Sequence, residues 1–167
     1  MAKLAIVTYP DPILLSQAQA VPTVNQRMRR LARDMLETMY AASGVGLAAP
    51  QVGVRKRVIV VDAGENPITL VNPEIAAAEG EQVELEGCLS LPDLVGEVRR
   101  AMWVRVKGLN LRGRPSVVEG AGLQARALEH EIDHLDGILF IAHLTDPTRL
   151  WRVSELSAAA GKEAVCI

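Results

Sequence analysis

Aromatic side chains are scarce: the 167 residues contain one Phe, two Trp and two Tyr, 3% in all. A core must therefore come from Leu, Val, Ile, Ala and Met, which the 49% of apolar residues can supply. Cysteine is scarcer still. Cys88 and Cys166 cannot build a disulfide framework, so the expected compartment is a reducing one. Neither charge sign dominates. Eighteen Lys and Arg stand against 20 Asp and Glu, for a net charge of −2 and a pI near 5.9. No excess of Lys and Arg points to nucleic acid or an anionic membrane as the main partner. No apolar run approaches the roughly 18 residues of a membrane span. Met1-Ala2-Lys3-Leu4 opens no run resembling a secretory signal. These absences set the expectation of one domain over residues 1–167, cytoplasmic in a bacterial type of cell, or in an organelle after loss of a transit peptide.

What is present alternates between helical and strand periodicity. Asp11-Pro12 predicts an N-capped turn through Ser16, and Asn25 caps a helix carrying Met28, Leu31, Met35, Leu36 and Met39. Ser43-Gly44 should end it. Val58–Val61 and Ile68–Val71 read as buried strands, the second stopped by Asn72-Pro73. Met102, Val104 and Val106 alternate with Trp103, Arg105 and Lys107, as in a half-solvated strand, and Arg112-Gly113-Arg114-Pro115 is a turn. Helical spacing returns from Gly122 to Leu135, closed by Gly137, and Asp146-Pro147 should open a last helix with Leu150, Val153 and Leu156. The predicted class is α+β: a mostly antiparallel sheet around a central helix, with an N-terminal and a C-terminal helix.

The sharpest chemical signal lies on that central helix, at His130-Glu131-Ile132-Asp133-His134. Residues four apart share a helix face, so both imidazoles can reach one ion, and Glu131 can act on water beside it without ligating. A catalytic site wants a third protein ligand. The position three residues beyond Gly137 is Phe140, which cannot ligate. Glu155, on the expected last helix, would serve a zinc peptidase, and Cys88 in Glu86-Gly87-Cys88-Leu89-Ser90 is the other candidate.

Three segments together resemble the signature motifs of peptide deformylases. They are Gly44-Val45-Gly46-Leu47-Ala48-Ala49-Pro50-Gln51, Glu86-Gly87-Cys88-Leu89-Ser90, and the run from His130 through Leu135-Asp136-Gly137, in the family's order and spacing. The resemblance covers about residues 4–145. It implies a divalent ion on Cys88, His130 and His134, with the family's usual ferrous iron, and donors that also suit zinc, nickel or cobalt. It implies Glu131 as general base then acid, and Gln51 with the Leu89 N–H as oxyanion donors. The implied substrate is the formyl-methionyl end of a nascent polypeptide, and formate is a product.

Gly44-Val45-Gly46 and Leu85-Glu86-Gly87 read as edges able to take an extended peptide by strand addition. Val45, Leu123 and Ala127 should line the methionine pocket, since Leu123, Ala127, His130 and His134 follow one helix face. Arg126 lies at the rim of that face, with Glu84 as its expected partner. The chain departs from the family's pattern at Glu129, where glutamine is usual, and at Arg99, where proline is usual. Cys166 reads as a tail thiol, His143 as a surface residue, and Glu86 as a carboxylate that orients its loop. Arg149 and Arg152 read as a solvated face with at most a weak ribosome contact.

Overall fold

The first long helix, α1 (Gln26–Ala41), starts where the Asn25 side chain accepts a hydrogen bond from the Met28 N–H at 3.0 Å. Met28, Ala32, Met35 and Met39 form its buried stripe and join Leu47, Val58 and Val60 in one apolar cluster. Leu31 and Leu36 are only half-buried. Ser43, rather than Gly44, takes the left-handed conformation past the helix end, at φ 57°. The computed structural model describes residues 2–156 and 165–167.

Two sheets carry the remainder, where the sequence suggested one. The first has five antiparallel strands in the order β1 (Gly46–Ala48), β2 (Val58–Val61), β3 (Ile68–Glu79), β6 (Trp103–Leu109) and β7 (Pro115–Ala121). The second runs β8 (Leu150–Arg152), β5 (Leu91–Arg100), β4 (Gln82–Cys88) and β9 (Val165–Cys166). Its β4–β9 pair is parallel and the others are antiparallel. Along β6 the alternation holds at Val104 and Val106, which are buried, and at Arg105 and Lys107, which are exposed, but Met102, expected on the buried side, is exposed ahead of the strand.

Two expectations need correction. Asn72-Pro73 does not stop its strand, because Asn72 adopts φ 52° and the register slips between Val71 and Glu74. The pair thus forms a bulge within β3, where proline's missing N–H breaks no ladder bond. The Asn72 amide holds the bulge in place through the Val21 N–H and carbonyl at 2.8 and 2.9 Å. Asp146-Pro147 does not open a helix. Asp146 instead accepts from the Thr148 N–H at 2.8 Å, and Leu150–Arg152 then cover the free edge of β5. Among the described residues the last helix, α3, is confined to Val153–Leu156, and any continuation into residues 157–164 lies outside them.

Helix α2 (Leu123–Leu135) packs on β1, β2 and β7 of the first sheet and reaches β5 of the second. Ala125, Ala127, Leu128, Ile132 and Leu135 share a cluster with Ile59, Val61, Leu70, Val104 and Val106. The helix stops at Gly137, whose φ is 73°. A Cβ there would meet the Leu15 carbonyl at 2.8 Å, so both conformation and space require glycine.

Candidate metal centre

The end of β4 and one face of α2 converge on three buried side chains. Cys88 Sγ stands 3.3 Å from His134 Nε2, which stands 3.2 Å from His130 Nε2. A tetrahedral ion with bonds of about 2.0–2.3 Å holds its donors about 3.3–3.6 Å apart, so this trio has the spacing and donor chemistry for one divalent ion. It is the one such group found among the described residues. Glu155 is exposed on α3 and takes no part. Phe140 is buried and stacks on the His130 ring, with centroids 6.4 Å apart.

Glu86 orients the first histidine. Its side chain is fully buried and takes the His130 Nδ1–H at 2.7 Å, leaving the Nε2 lone pair aimed at the trio. Arg100 grips both carboxylate oxygens, with Nη2 at 2.7 Å from the Oε2 that His130 also uses and Nε at 3.2 Å from Oε1, and Arg100 Nη1 reaches Asp133 at 2.7 Å. Burial opposes the charge on Glu86, but His130 and Arg100 outweigh it and hold the carboxyl down to about 2. Burial likewise disfavours the Arg100 charge, and its two carboxylate partners more than restore it.

The sequence predicted Glu86 only as a loop-orienting carboxylate, and Arg100 and Asp133 carried no signal at all. One signal was available for Glu86: it sits two residues before Cys88, on the same face of β4.

Burial drives the Cys88 thiol well above its usual range, and the Glu131 carboxylate adds to this. A divalent cation is the charge that would reverse it. Burial also pushes His134 well below the ordinary histidine range, which leaves a neutral, ligating imidazole.

Glu131 is fully buried, and neither of its oxygens has a hydrogen-bond partner among the described residues. Burial first, then repulsion from Glu86, raises its carboxyl well above the usual range. Gly46 lies directly over it: a Cβ at that position would fall 2.6 Å from Glu131 Oε1.

Gln51 enters from the short 3-10 turn Ala49–Val52 after β1. Its Oε1 accepts from the Ala48 N–H at 2.9 Å, which turns Nε2 towards Ser90 Oγ at 3.1 Å and Cys88 Sγ at 3.7 Å. Leu89 follows Cys88, and a Cβ on Gly44 would meet its side chain at 2.8 Å. Leu123 and Ala127 lie in the main core cluster beside Val45.

Arg126 does not form the expected rim pair. It is buried, and its Nη2 donates to the Leu85 carbonyl at 2.9 Å. Glu84 sits on the exposed first half of β4, and no ion pair joins the two among the described residues. Glu129 takes the Ala101 N–H at 2.8 Å at the β5–β6 corner, and Arg99 pairs at the surface with Glu81, just before β4. His143 is half-exposed, 3.0 Å from Asp133. Cys166 is no loose tail thiol: it lies in β9, and burial, then Glu131, raises its thiol to about 11.

Residues 3–150 match the family model described as polypeptide deformylase. The peptide deformylase of Pelotomaculum thermopropionicum is 55% identical over 141 residues, 84% of this chain and 91% of its own. Among solved structures, the peptide deformylase of Legionella pneumophila superposes with a TM-score of 0.83 at 44% identity, covering 89% of both chains. That of Thermus thermophilus gives 0.83 at 46% identity, covering 87% of this chain and 88% of its own.

Proposed function

The chain belongs to the polypeptide deformylase family, hydrolases that remove the formyl group from the N-terminal formyl-methionine of newly made polypeptides, and from that premise we propose how its own residues perform the reaction. Cys88, His130 and His134 would hold one divalent ion, ferrous iron by the family's habit, with zinc, nickel or cobalt suited to the same donors. Such an ion, when bound, acidifies water and polarises the formyl oxygen.

Glu131 takes the proton from the attacking water and returns it to the departing amine nitrogen as the C–N bond breaks, giving formate and a free amine. Its raised carboxyl suits a group that must both accept and donate near neutral pH. Gln51 Nε2, locked by the Ala48 N–H, and the Leu89 N–H donate to the oxyanion, each worth about 3 kcal/mol. Gly44, Val45 and Gly46 on one side, and Leu85–Gly87 on the other, hold the peptide backbone. Val45, Leu123 and Ala127 receive the methionine side chain. Residues 1–167 act as one catalytic domain in the cytoplasm of a bacterial type of cell. A ribosome contact through Arg149 and Arg152 is a minor element, because Arg149 is already engaged by Glu97 at 2.9 Å.

One observation carries this reading: a fully buried carboxylate, with no hydrogen-bond partner among the described residues, beside three converging metal donors. Formate release from formyl-Met-Ala-Ser by anaerobically prepared protein tests it. Glu131→Gln should keep its metal and lose on the order of 10²–10⁴ in turnover. Near wild-type turnover in that variant refutes the role.

A further inference from the structure

Residues 165–167 lie in the groove between the two sheets. Val165 and Cys166 pair in parallel with Glu86 and Gly87. On the β4 side the Ile167 N–H also donates to the Gly87 carbonyl at 3.1 Å, and from the opposite side the Val45 N–H donates to the Cys166 carbonyl at 3.2 Å. One short segment thus engages the edges of β1 and β4 together, as an added strand would. The Ile167 side chain is fully buried and belongs to the same apolar cluster as Ala127, Leu128 and Ile132 of α2, with Val45 and Leu123 packed against it.

We propose that residues 165–167 are an intramolecular pseudo-substrate, an extended apolar segment of this chain that fills the peptide groove and must leave before a formyl-peptide can enter. The proposal rests on the substrate groove assigned above. The Val45 N–H, the Gly87 carbonyl and the pocket of Leu123 and Ala127 cannot serve both ligands at once. The contact is also small enough to be displaced, two paired residues and two apolar side chains, Ile167 fully and Val165 partly buried. The segment lies outside residues 3–150, the part of the chain that matches the family model.

A protein truncated after Ala164, and the full chain carrying Ile167→Asp, test the proposal with formyl-Met-Ala-Ser as substrate. Because the apparent affinity scales with the fraction of open groove, KM should fall about tenfold in both while kcat stays within about twofold. The synthetic peptide Ala-Val-Cys-Ile should inhibit the truncated protein competitively. Independently of turnover, the Val45 amide should be protected from hydrogen exchange in the full chain and exchange faster after truncation.

Absence of formate release from every form would refute the hydrolase reading, while the exchange and peptide-binding results would still decide whether the groove is self-filled. Unchanged KM together with unchanged Val45 exchange overturns the proposal. So does failure of both variants to fold, which would make the segment core rather than ligand. A KM for the full chain that varies with enzyme concentration would mean that the segment crosses to a second copy, and the intramolecular proposal falls.

Discussion

Glu86→Gln is the most discriminating perturbation of the site, because it keeps the shape of a fully buried side chain and removes only its charge. In the native protein that charge accepts the His130 Nδ1–H and two donors of Arg100. A carboxyl held at about 2 rather than 4.5 contributes about 3 kcal/mol at neutral pH, at about 1.4 kcal/mol for each tenfold change in the equilibrium. Breaking a buried ion pair costs about 3–5 kcal/mol, and the lower end fits here because Arg100 keeps Asp133 at 2.7 Å. The folded carboxyl titrates below the unfolded one. Its contribution is therefore complete above the unfolded value of 4.5 and is lost as pH falls towards 2. Urea unfolding of chelator-treated protein should show a gap of about 3 kcal/mol between wild type and variant at pH 7, narrowing below about pH 4.5. Chelator competition should show metal affinity weaker by about 10–100-fold, since the His130 orientation is lost. A gap under about 1 kcal/mol at pH 7 with unchanged metal affinity, or a gap that widens on acidification, would refute this account of Glu86.

Gly46→Ala places a methyl group 2.6 Å from Glu131 Oε1; turnover should fall on the order of 10²-fold with the metal retained, measured by steady-state kinetics and metal analysis. Cys88→Ala should abolish stoichiometric metal while Glu155→Ala keeps it, and the reverse result would revive the peptidase ligand set. Arg126→Ala and Glu84→Ala should be additive in KM within about 0.3–0.5 kcal/mol, because Arg126 donates to the Leu85 carbonyl rather than to Glu84; larger coupling would show that the rim pair forms in solution.

The parts of this molecule that could be read from the sequence are those whose geometry is set by neighbours a few residues away. His130 and His134 share a helix face whatever the sheets do, Asn25 caps whatever follows it, and the alternation over β6 shows its buried side directly. Asn72-Pro73 failed as a stop because a stop and a bulge use the same residues. Only the pairing partner, β6, decides between them by continuing past the irregularity. Asp146-Pro147 failed for a similar reason: a helix start competed with the open edge of β5, and the edge won through Leu150–Arg152.

The hidden half of the site consists of contacts made across long stretches of chain. Arg100 follows Arg99 at the end of a strand, and nothing local separates the two. Arg99 nevertheless faces solvent, while Arg100 is buried against Glu86, 14 residues away, and Asp133, 33 residues away. The placement of Ile167 is equally remote from its local sequence. An apolar residue after Cys166 carries no local signal until two backbone edges, one from each sheet, stand ready to receive it. Charge and hydrophobicity show which residues must find partners. Which partners they find is set by sheet register, and here register brings the orienting carboxylate of His130 and the groove's own occupant onto one strand, β4.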